Sequence, residues 1–258
     1  MRGVEPTRLS LLGAAAAVAA VINSVAGGGA LVTFPALIAS GVSPLIASAT
    51  NTAALTPGGI ASAWAYRREL GERARVSFAF AASSAVGGVA GAVLLFRTPP
   101  RLFELIVPWL VGGATLLLVF QDRLLRKPSG SPSFRPSRRA VAGVGVGLIG
   151  VAVYGGYFGA GIGMLTLALL ASLASSSVHE LNAMKTVIVA TVNAAATVYF
   201  LATGRVELTV ALVMALGATV GGYSGAALAR RAKPERVRSV VVAIGCVLTV
   251  LLALRYYR

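Results

Sequence analysis

Lys185 has the most unusual chemical setting of any residue in the sequence. A long stretch of largely uncharged residues follows it, from Thr186 to Gly204. A cation beside such a stretch is energetically costly unless a partner balances it, and the nearest carboxylate, Glu180, lies five residues upstream. Lys185 is therefore a candidate for binding an anion. The alternative is a lysine at the start of a helix whose side chain reaches out to water.

Neutral hydrogen-bonding side chains accompany this lysine. Thr186 and Asn193 follow it, and Thr50, Asn51 and Thr52 form a similar cluster earlier in the chain. Hydroxyl and amide groups can donate hydrogen bonds to an oxyanion whose charge is partly balanced by a cation. We expect these side chains to line the same anion site as Lys185.

Two glycine clusters interrupt long apolar stretches. Leu9–Ser40 is broken by Gly27, Gly28 and Gly29, and Val141–Leu173 is broken by Gly159, Gly161 and Gly163. Backbone groups freed inside a membrane persist only where they are buried in protein or line a cavity. A half-helix that begins at Gly29 or Gly163 would direct its first N–H groups and its positive dipole end toward a small anion. The alternative is that these glycines only allow close contact between helices.

The elements that must position these residues occur twice in the chain. The two copies share a constant offset of 134 residues, for example from residue 26 to residue 160. The matching blocks are Ala26–Leu31 with Ala160–Leu165, Ala49–Thr52 with Ala183–Thr186, Gly87–Ala92 with Gly221–Ala226, and Pro100 with Pro234. Asn51 is thus the counterpart of Lys185. Internal duplication with glycine-interrupted apolar segments at matching places is typical of secondary transporters.

Composition predicts an all-α integral membrane protein. Apolar residues make up 57% of the chain and charged residues 12%, against about 25% charged in soluble domains. Apolar runs such as Val76–Phe96 and Leu102–Phe120 are long enough to cross a bilayer. We expect about eight transmembrane helices in two homologous four-segment repeats, 1–120 and 140–258. A flexible basic linker, 121–139, joins them.

Most basic residues lie in short loops between the apolar runs or at segment ends. The net charge of +15 therefore indicates a multi-pass protein with positive loops on the inside, and we expect no nucleic-acid partner.

If each glycine cluster is the tip of a hairpin, the two repeats are inverted and both termini lie outside. If each apolar stretch is one long crossing, the repeats are parallel. The hairpin is favoured because it puts the basic loop 230–238 on the same face as 121–139, the loop richest in charge.

Several function classes are disfavoured. The eight acidic residues lie at segment ends or in loops, whereas a cation or metal transporter is expected to bury carboxylates. There is no Walker sequence, so ATP hydrolysis is not expected. We predict no metal and no cofactor. His179 and Glu180 are the only sequence-local pair that could titrate near neutral pH, which makes them candidates for proton coupling.

One motif suggests an enzyme. Gly222–Gly225 looks like the Gly-x-Ser-Gly of rhomboid intramembrane proteases, but such a serine needs a histidine base on a neighbouring helix. The single histidine lies in a polar connection. We therefore predict no enzyme activity, and interpret Gly87 with Gly91 and Gly221 with Gly225 as close helix contacts.

Taken together, the motifs resemble the TauE/SafE family of sulfite exporters. The resemblance covers about residues 9 to 254 and rests on the set as a whole: Asn23 through the three glycines to Pro35, Ala47–Asn51, Gly159 with Gly161 and Gly163, Asn182–Lys185, and the repeated Gly-Gly-x-x-Gly-Ala. It implies an eight-helix protein of the bacterial inner membrane that exports sulfite or a related organosulfur anion, powered by an ion gradient. The chain departs from the pattern at Ile162, which interrupts the second glycine run, and at Leu169, which stands where the repeat has Pro35.

The resulting expectation is a secondary transporter with its site between the two repeats. The expected substrate-binding residues are Asn23, Gly27, Gly28, Gly29, Thr50, Asn51, Gly159, Gly161, Gly163, Lys185, Thr186 and Asn193. The expected partners are the small anion and the lipid bilayer. An anion channel or uniporter, or an accessory membrane protein without transport, remain alternatives, and a homodimer is open because the glycine faces can bind within or between chains.

Overall fold

The computed structural model describes residues 5–25, 27–121, 137–173, 178–229 and 234–257. Most of the predicted linker, the repeat residue Ala26 and basic residues 230–233 lie outside them. Five helices precede the linker: α1 (Pro6–Val25), α2 (Ala30–Ala39), α3 (Pro44–Ala65), α4 (Ala74–Arg97) and α5 (Pro100–Val119). Five helices follow it: α6 (Arg138–Tyr157), α7 (Ile162–Ala171), α8 (Val178–Ala202), α9 (Leu208–Ala229) and α10 (Pro234–Tyr257). A short 3₁₀ turn, Gly71–Arg73, precedes α4.

The described residues form an all-helical membrane protein, as the composition predicts. Seven of the described helices are long and apolar enough to cross a bilayer, namely α1, α4, α5, α6, α8, α9 and α10. Helix α3 has 22 residues but is not among them. It carries buried polar side chains, including Ser48, Asn51 and Thr56. Because protein rather than lipid surrounds these groups, α3 does not need an apolar surface.

The two glycine clusters form turns at which the chain reverses direction. Gly27 and Gly161 both adopt left-handed conformations, with φ of 77° and 80°, which side chains other than glycine rarely adopt. After the first turn, Gly29 lies so close to α1 that a Cβ atom there would overlap the carbonyl of Ala19. Helix α2 therefore doubles back along α1. Helices α2 and α7 have 10 residues each, about 15 Å, half the thickness of a bilayer core.

Helices from the two halves of the chain pack on each other in matching pairs. Helix α1 packs on α9 and α6 packs on α4, while α3 packs on α9 and α8 packs on α4. Helices α3 and α8 meet at the centre, where the hydroxyls of Thr56 and Thr197 are hydrogen-bonded at 2.9 Å. Helices α5 and α10 also pair. When each helix is replaced by its counterpart under the 134-residue offset, each of these helix pairs becomes another of the pairs or stays the same pair.

Glycines make the closest of these helix contacts. A Cβ atom at Gly221 would overlap the carbonyl of Ala17 on α1, and one at Gly91 would overlap the carbonyl of Val153 on α6. The glycine pairs interpreted as helix contacts therefore lie between the two halves of one chain. The protease-like Ser224 is exposed and donates its hydroxyl to the carbonyl of Val220 in its own helix.

The same close packing predicts the effect of substitutions at glycine. Gly222→Ala should destabilise the protein by about 1–3 kcal/mol, because the added Cβ would overlap the carbonyl of Gly58 and force α9 away from α3. Gly150→Ala is the matched control, since outside its own stretch of helix no atom of the described residues lies within 4 Å of the added Cβ. It should stabilise α6 by about 0.5–1 kcal/mol. Thermal unfolding in detergent measures both. Equal stability of the two variants would contradict the packing described.

Candidate functional site

A cavity lies between the two glycine turns and helices α1, α3 and α8. Its volume is about 60 Å³, whereas a single buried water needs about 10–15 Å³. It can therefore hold an ion of several heavy atoms. The polar side chains that line it are Asn23, Ser24, Asn51, Thr52, Ser62, Lys185, Thr186 and Asn193.

Both halves of the chain contribute equivalent positions to this cavity. The lining residues that correspond under the 134-residue offset are Gly28 with Ile162, Asn51 with Lys185, Thr52 with Thr186, Leu55 with Val189, and Gly59 with Asn193. The cavity thus lies where the duplicated segments meet. Its two sides differ chemically, because a cation on one side corresponds to an amide on the other.

The Lys185 ammonium is buried, and no carboxylate of a described residue is among its hydrogen-bond acceptors. The residue is 3% exposed, so the side chain does not reach out to water from a helix start. Nζ donates to the Asn182 side-chain Oδ1 at 2.9 Å and to the backbone carbonyl of Asn23 at 3.3 Å. Both acceptors are neutral. The positive charge is therefore available to an anion in the cavity.

The glycine break makes the Asn23 carbonyl available to Lys185. The Gly27 N–H donates at 3.1 Å to Ile22, five residues back, and so passes over the Asn23 carbonyl, which a regular helix would have used. The Asn23 side chain has a second role, because its Oδ1 accepts from the Gly29 N–H at 2.8 Å. One residue therefore holds both the lysine and the start of α2.

The second glycine turn brings the start of α7 beside the lysine. A Cβ atom at Gly163 would lie 3.6 Å from Lys185 Cδ and 3.7 Å from the Cα of Gly27, so the two turns touch. Backbone hydrogen bonding in α7 starts at Met164, whose N–H donates to the Gly161 carbonyl at 3.0 Å. The N–H groups of Ile162 and Gly163 precede this first bond, as expected at a helix N-terminus.

Two cavity-lining amides have oxygens without a partner. Oδ1 of Asn51 and Oδ1 of Asn193 are buried and accept no hydrogen bond from any described residue. Buried polar atoms in folded proteins nearly always have a partner in protein or solvent, so an unpartnered one needs an explanation such as a water or ligand. Both amides lie along the cavity, one from each half, and are therefore candidate contacts for its occupant.

Nine of the twelve predicted binding residues line the cavity: Asn23, Gly28, Asn51, Gly159, Gly161, Gly163, Lys185, Thr186 and Asn193. The other three do not. Gly27 shapes the first turn against Met164, and Gly29 is held by Asn23. Thr50 Oγ1 instead accepts from the Glu207 N–H at 3.0 Å, at the start of α9.

The proposed titrating pair lies apart from the cavity lining. His179 is exposed and Glu180 is half-buried, both in the first turn of α8. His179 precedes Lys185 by six residues, about 9 Å along a helix. The structure therefore places this pair on the same helix as the lysine, at the N-terminal end of that helix.

Sequence reasoning missed several residues of the site. The Asn182 side chain could have been found, because residues three apart on a helix face each other. Ser24 and Ser62, whose hydroxyls are hydrogen-bonded at 3.0 Å, come from different helices. No local sequence signal marks such a pair.

Comparison with known proteins identifies the family. The sequence profile described as sulfite exporter TauE/SafE matches residues 12–252. The chain belongs to the TauE/SafE family. No solved structure matches it.

Bacterial relatives of this TauE/SafE protein are similar over nearly their whole length. The probable membrane transporter protein YfcA of Escherichia coli is 27% identical over 251 residues, covering 95% of this chain and 90% of the relative. A probable membrane transporter protein of Haemophilus influenzae is 25% identical over 243 residues, covering 93% and 92%. The probable membrane transporter protein ORF9 of a Sinorhizobium species is 29% identical over 246 residues, covering 94% and 92%.

Family membership and the apolar helices make this chain a multi-pass membrane protein of a transporter family. Membrane transporters are generally not enzymes. The two departures from the TauE/SafE pattern both fall in the second half. One of them, Ile162, lines the cavity and is the counterpart of Gly28 under the 134-residue offset.

The capping role of the Asn23 side chain predicts a difference between two substitutions. Asn23→Ala should destabilise the protein by about 1 kcal/mol, because the Gly29 N–H loses its capping acceptor. Asn23→Asp should not, since a carboxylate also accepts this hydrogen bond. Thermal unfolding should show a shift of about 2–4 °C for the alanine variant. Ser10→Ala, at an exposed position of α1, is the control. Equal losses in both Asn23 variants would rule out the capping role.

Proposed function

We propose that this protein exports sulfite, or a related small organosulfur anion, across the bacterial inner membrane by alternating access driven by an ion gradient. The observation that carries the proposal is the buried Lys185 ammonium, which faces a cavity of neutral polar groups from both halves of the chain. The family description, sulfite exporter, supports the same substrate class.

The site residues have distinct roles in this proposal. Lys185 balances the charge of the anion, and the N–H groups of Ile162 and Gly163 donate to its oxygens from the start of α7. Amide and hydroxyl groups of Asn51, Thr186 and Asn193 complete the polar lining. Such a set suits a pyramidal or tetrahedral oxyanion, which presents acceptor oxygens in several directions.

An inverted arrangement of two repeats, with the linker between them, is part of the proposal. Helices α3 and α9 run in the same direction, because Thr50 lies beside Glu207 and Gly58 lies beside Ala218. Helix α4 follows α3 after a short connection and runs back across the membrane. Helix α4 and its counterpart α9 therefore run in opposite directions, which supports inverted rather than parallel repeats.

This arrangement also orients the protein. Helices α3 and α9 end on the same face, and basic residues follow both ends in the sequence. Helix α5 ends on that face as well, and the basic linker follows it in the sequence. The positive-inside rule therefore assigns this face to the cytoplasm. Helix α1 runs parallel to α9, since Gly13 lies against Gly217 and Val21 against Gly225. Both termini are then periplasmic.

The central test is sulfite flux in proteoliposomes that hold the purified protein, with and without an imposed proton gradient. Gradient-driven accumulation of sulfite would support a coupled transporter. Flux that only dissipates a sulfite gradient would instead indicate an anion channel or uniporter. No sulfite flux from folded protein would contradict the proposed substrate.

Removing the buried cation should abolish transport. Lys185→Gln should lower the sulfite flux by about 30-fold or more, because losing one partner of a buried charge pair costs about 2–5 kcal/mol. Arg138→Gln removes a cation at an exposed position at the start of α6 and should leave the flux unchanged. Circular dichroism and size exclusion establish that both variants are folded. A Lys185→Gln protein with normal flux would exclude the lysine from the mechanism.

The proposed coupling pair gives a pH prediction. If His179 with Glu180 carries the coupled proton, His179→Gln should flatten the pH dependence of sulfite flux between about pH 5 and pH 8, because glutamine cannot bind and release a proton. The flux of wild type and variant is measured across this range at a fixed gradient. A variant that keeps the wild-type pH profile would exclude His179 from coupling.

A further inference from the structure

We propose that the cavity selects monovalent over divalent anions, so that it binds hydrogensulfite, the protonated form of sulfite, rather than the sulfite dianion. The asymmetry between Lys185 and its counterpart Asn51 sets this selectivity. The inference rests on the proposed function, because it concerns the charge of the anion that the same cavity binds. It follows from the charges that the described residues bring to the cavity.

Lys185 is the only titratable side chain among the described residues that line the cavity. Its hydrogen-bond acceptors, Asn182 and the Asn23 carbonyl, are neutral. The side chains therefore contribute a single positive charge.

The helix ends at the cavity add little net charge. A helix N-terminus carries roughly half a positive charge and a C-terminus roughly half a negative charge. Each glycine turn brings one end of each kind together: the end of α1 with the start of α2, and the end of α6 with the start of α7. These partial charges offset one another within each turn, so they orient the anion without changing the total. The net charge of the cavity remains close to that of one ammonium group.

A monovalent anion neutralises this cavity, whereas a divalent anion leaves one negative charge buried without a partner. An uncompensated buried charge costs several kcal/mol even after relaxation. Neutral amides solvate part of this charge but do not cancel it. Discrimination by charge is therefore larger than discrimination by the small difference in shape between tetrahedral oxyanions.

The duplicated structure shows which residue limits the charge. Asn51 occupies the position in the first half that Lys185 occupies in the second, and both line the cavity. Asn51 is 2% exposed, and its Oδ1 has no partner among the described residues. A lysine at position 51 would give the cavity a second cation, at the position equivalent to the first. The amide at this position thus holds the cavity at one charge.

The test compares methanesulfonate, a monoanion, with sulfate, a dianion of closely similar size and shape. Each is added as a competitor of sulfite flux in proteoliposomes, and the concentration that halves the flux is measured. Binding of each anion is also measured directly, as stabilisation of the detergent-solubilised protein against heat. In the wild type, methanesulfonate should compete and bind at least about tenfold more tightly than sulfate, a difference of about 1.4 kcal/mol.

The substitution Asn51→Lys should reduce this preference by about tenfold or reverse it. Thr203→Lys adds the same charge at an exposed position outside the cavity and should leave the preference unchanged. If Asn51→Lys fails to fold, Asn193→Lys places the second cation at the other unpartnered amide, with the same expected effect.

The outcomes separate this inference from the proposed function. Sulfite flux with a preference for methanesulfonate that Asn51→Lys removes would support both. Sulfite flux that sulfate inhibits as strongly as methanesulfonate would overturn the charge selectivity and leave the transport function intact. Absence of sulfite flux, with neither anion stabilising the folded protein, would overturn both.

Discussion

The Lys185 ammonium lies in the protein interior with neutral oxygens as its hydrogen-bond acceptors, and the rest of the structure accommodates this costly group. Burying a charge without an opposite charge costs several kcal/mol. The negative end of α1 and the Asn182 side chain offset part of this cost. The α1 end is available only because the turn at Gly27 frees the Asn23 carbonyl. The glycine break and the buried lysine are therefore parts of one arrangement.

The packing of the two halves follows from the same requirement. A polar cavity among membrane-spanning helices needs walls of protein, because lipid cannot satisfy its polar groups. Each half supplies only part of the wall, and close contacts at glycine, such as Gly222 against Gly58, bring the helices of both halves near enough to enclose it. The polar helix α3 can then lie in the interior, although its own sequence is too polar to face lipid over its whole length.

Much of this architecture could be predicted from the sequence because glycine clusters and a lysine among uncharged residues leave local signals. The sequence gives a weaker signal of which face of a helix points toward the cavity. Thr50 and Asn51 are neighbours, so their side chains point about 100° apart on a helix, and only Asn51 lines the cavity. The packing of α3 on α9 decides which of the two does so, and that contact joins residues 157 positions apart. The Ser24 and Ser62 pair was missed for the same reason, since long-range contacts depend on the whole fold.

Divergence between the two halves gives the site its chemistry. Duplication supplies the geometry, because each half contributes one glycine turn, one half-length helix and one of the two helices, α3 and α8, that pack against each other. A perfectly symmetric cavity would hold either two lysines or none. With two, the ammonium groups would repel one another and demand a divalent ion; with none, the helix ends alone would offer little net charge. One lysine opposite one asparagine avoids both situations. Among the cavity-lining pairs, Asn51 with Lys185 is the one whose members differ in charge, and our proposal assigns the choice of anion to this pair.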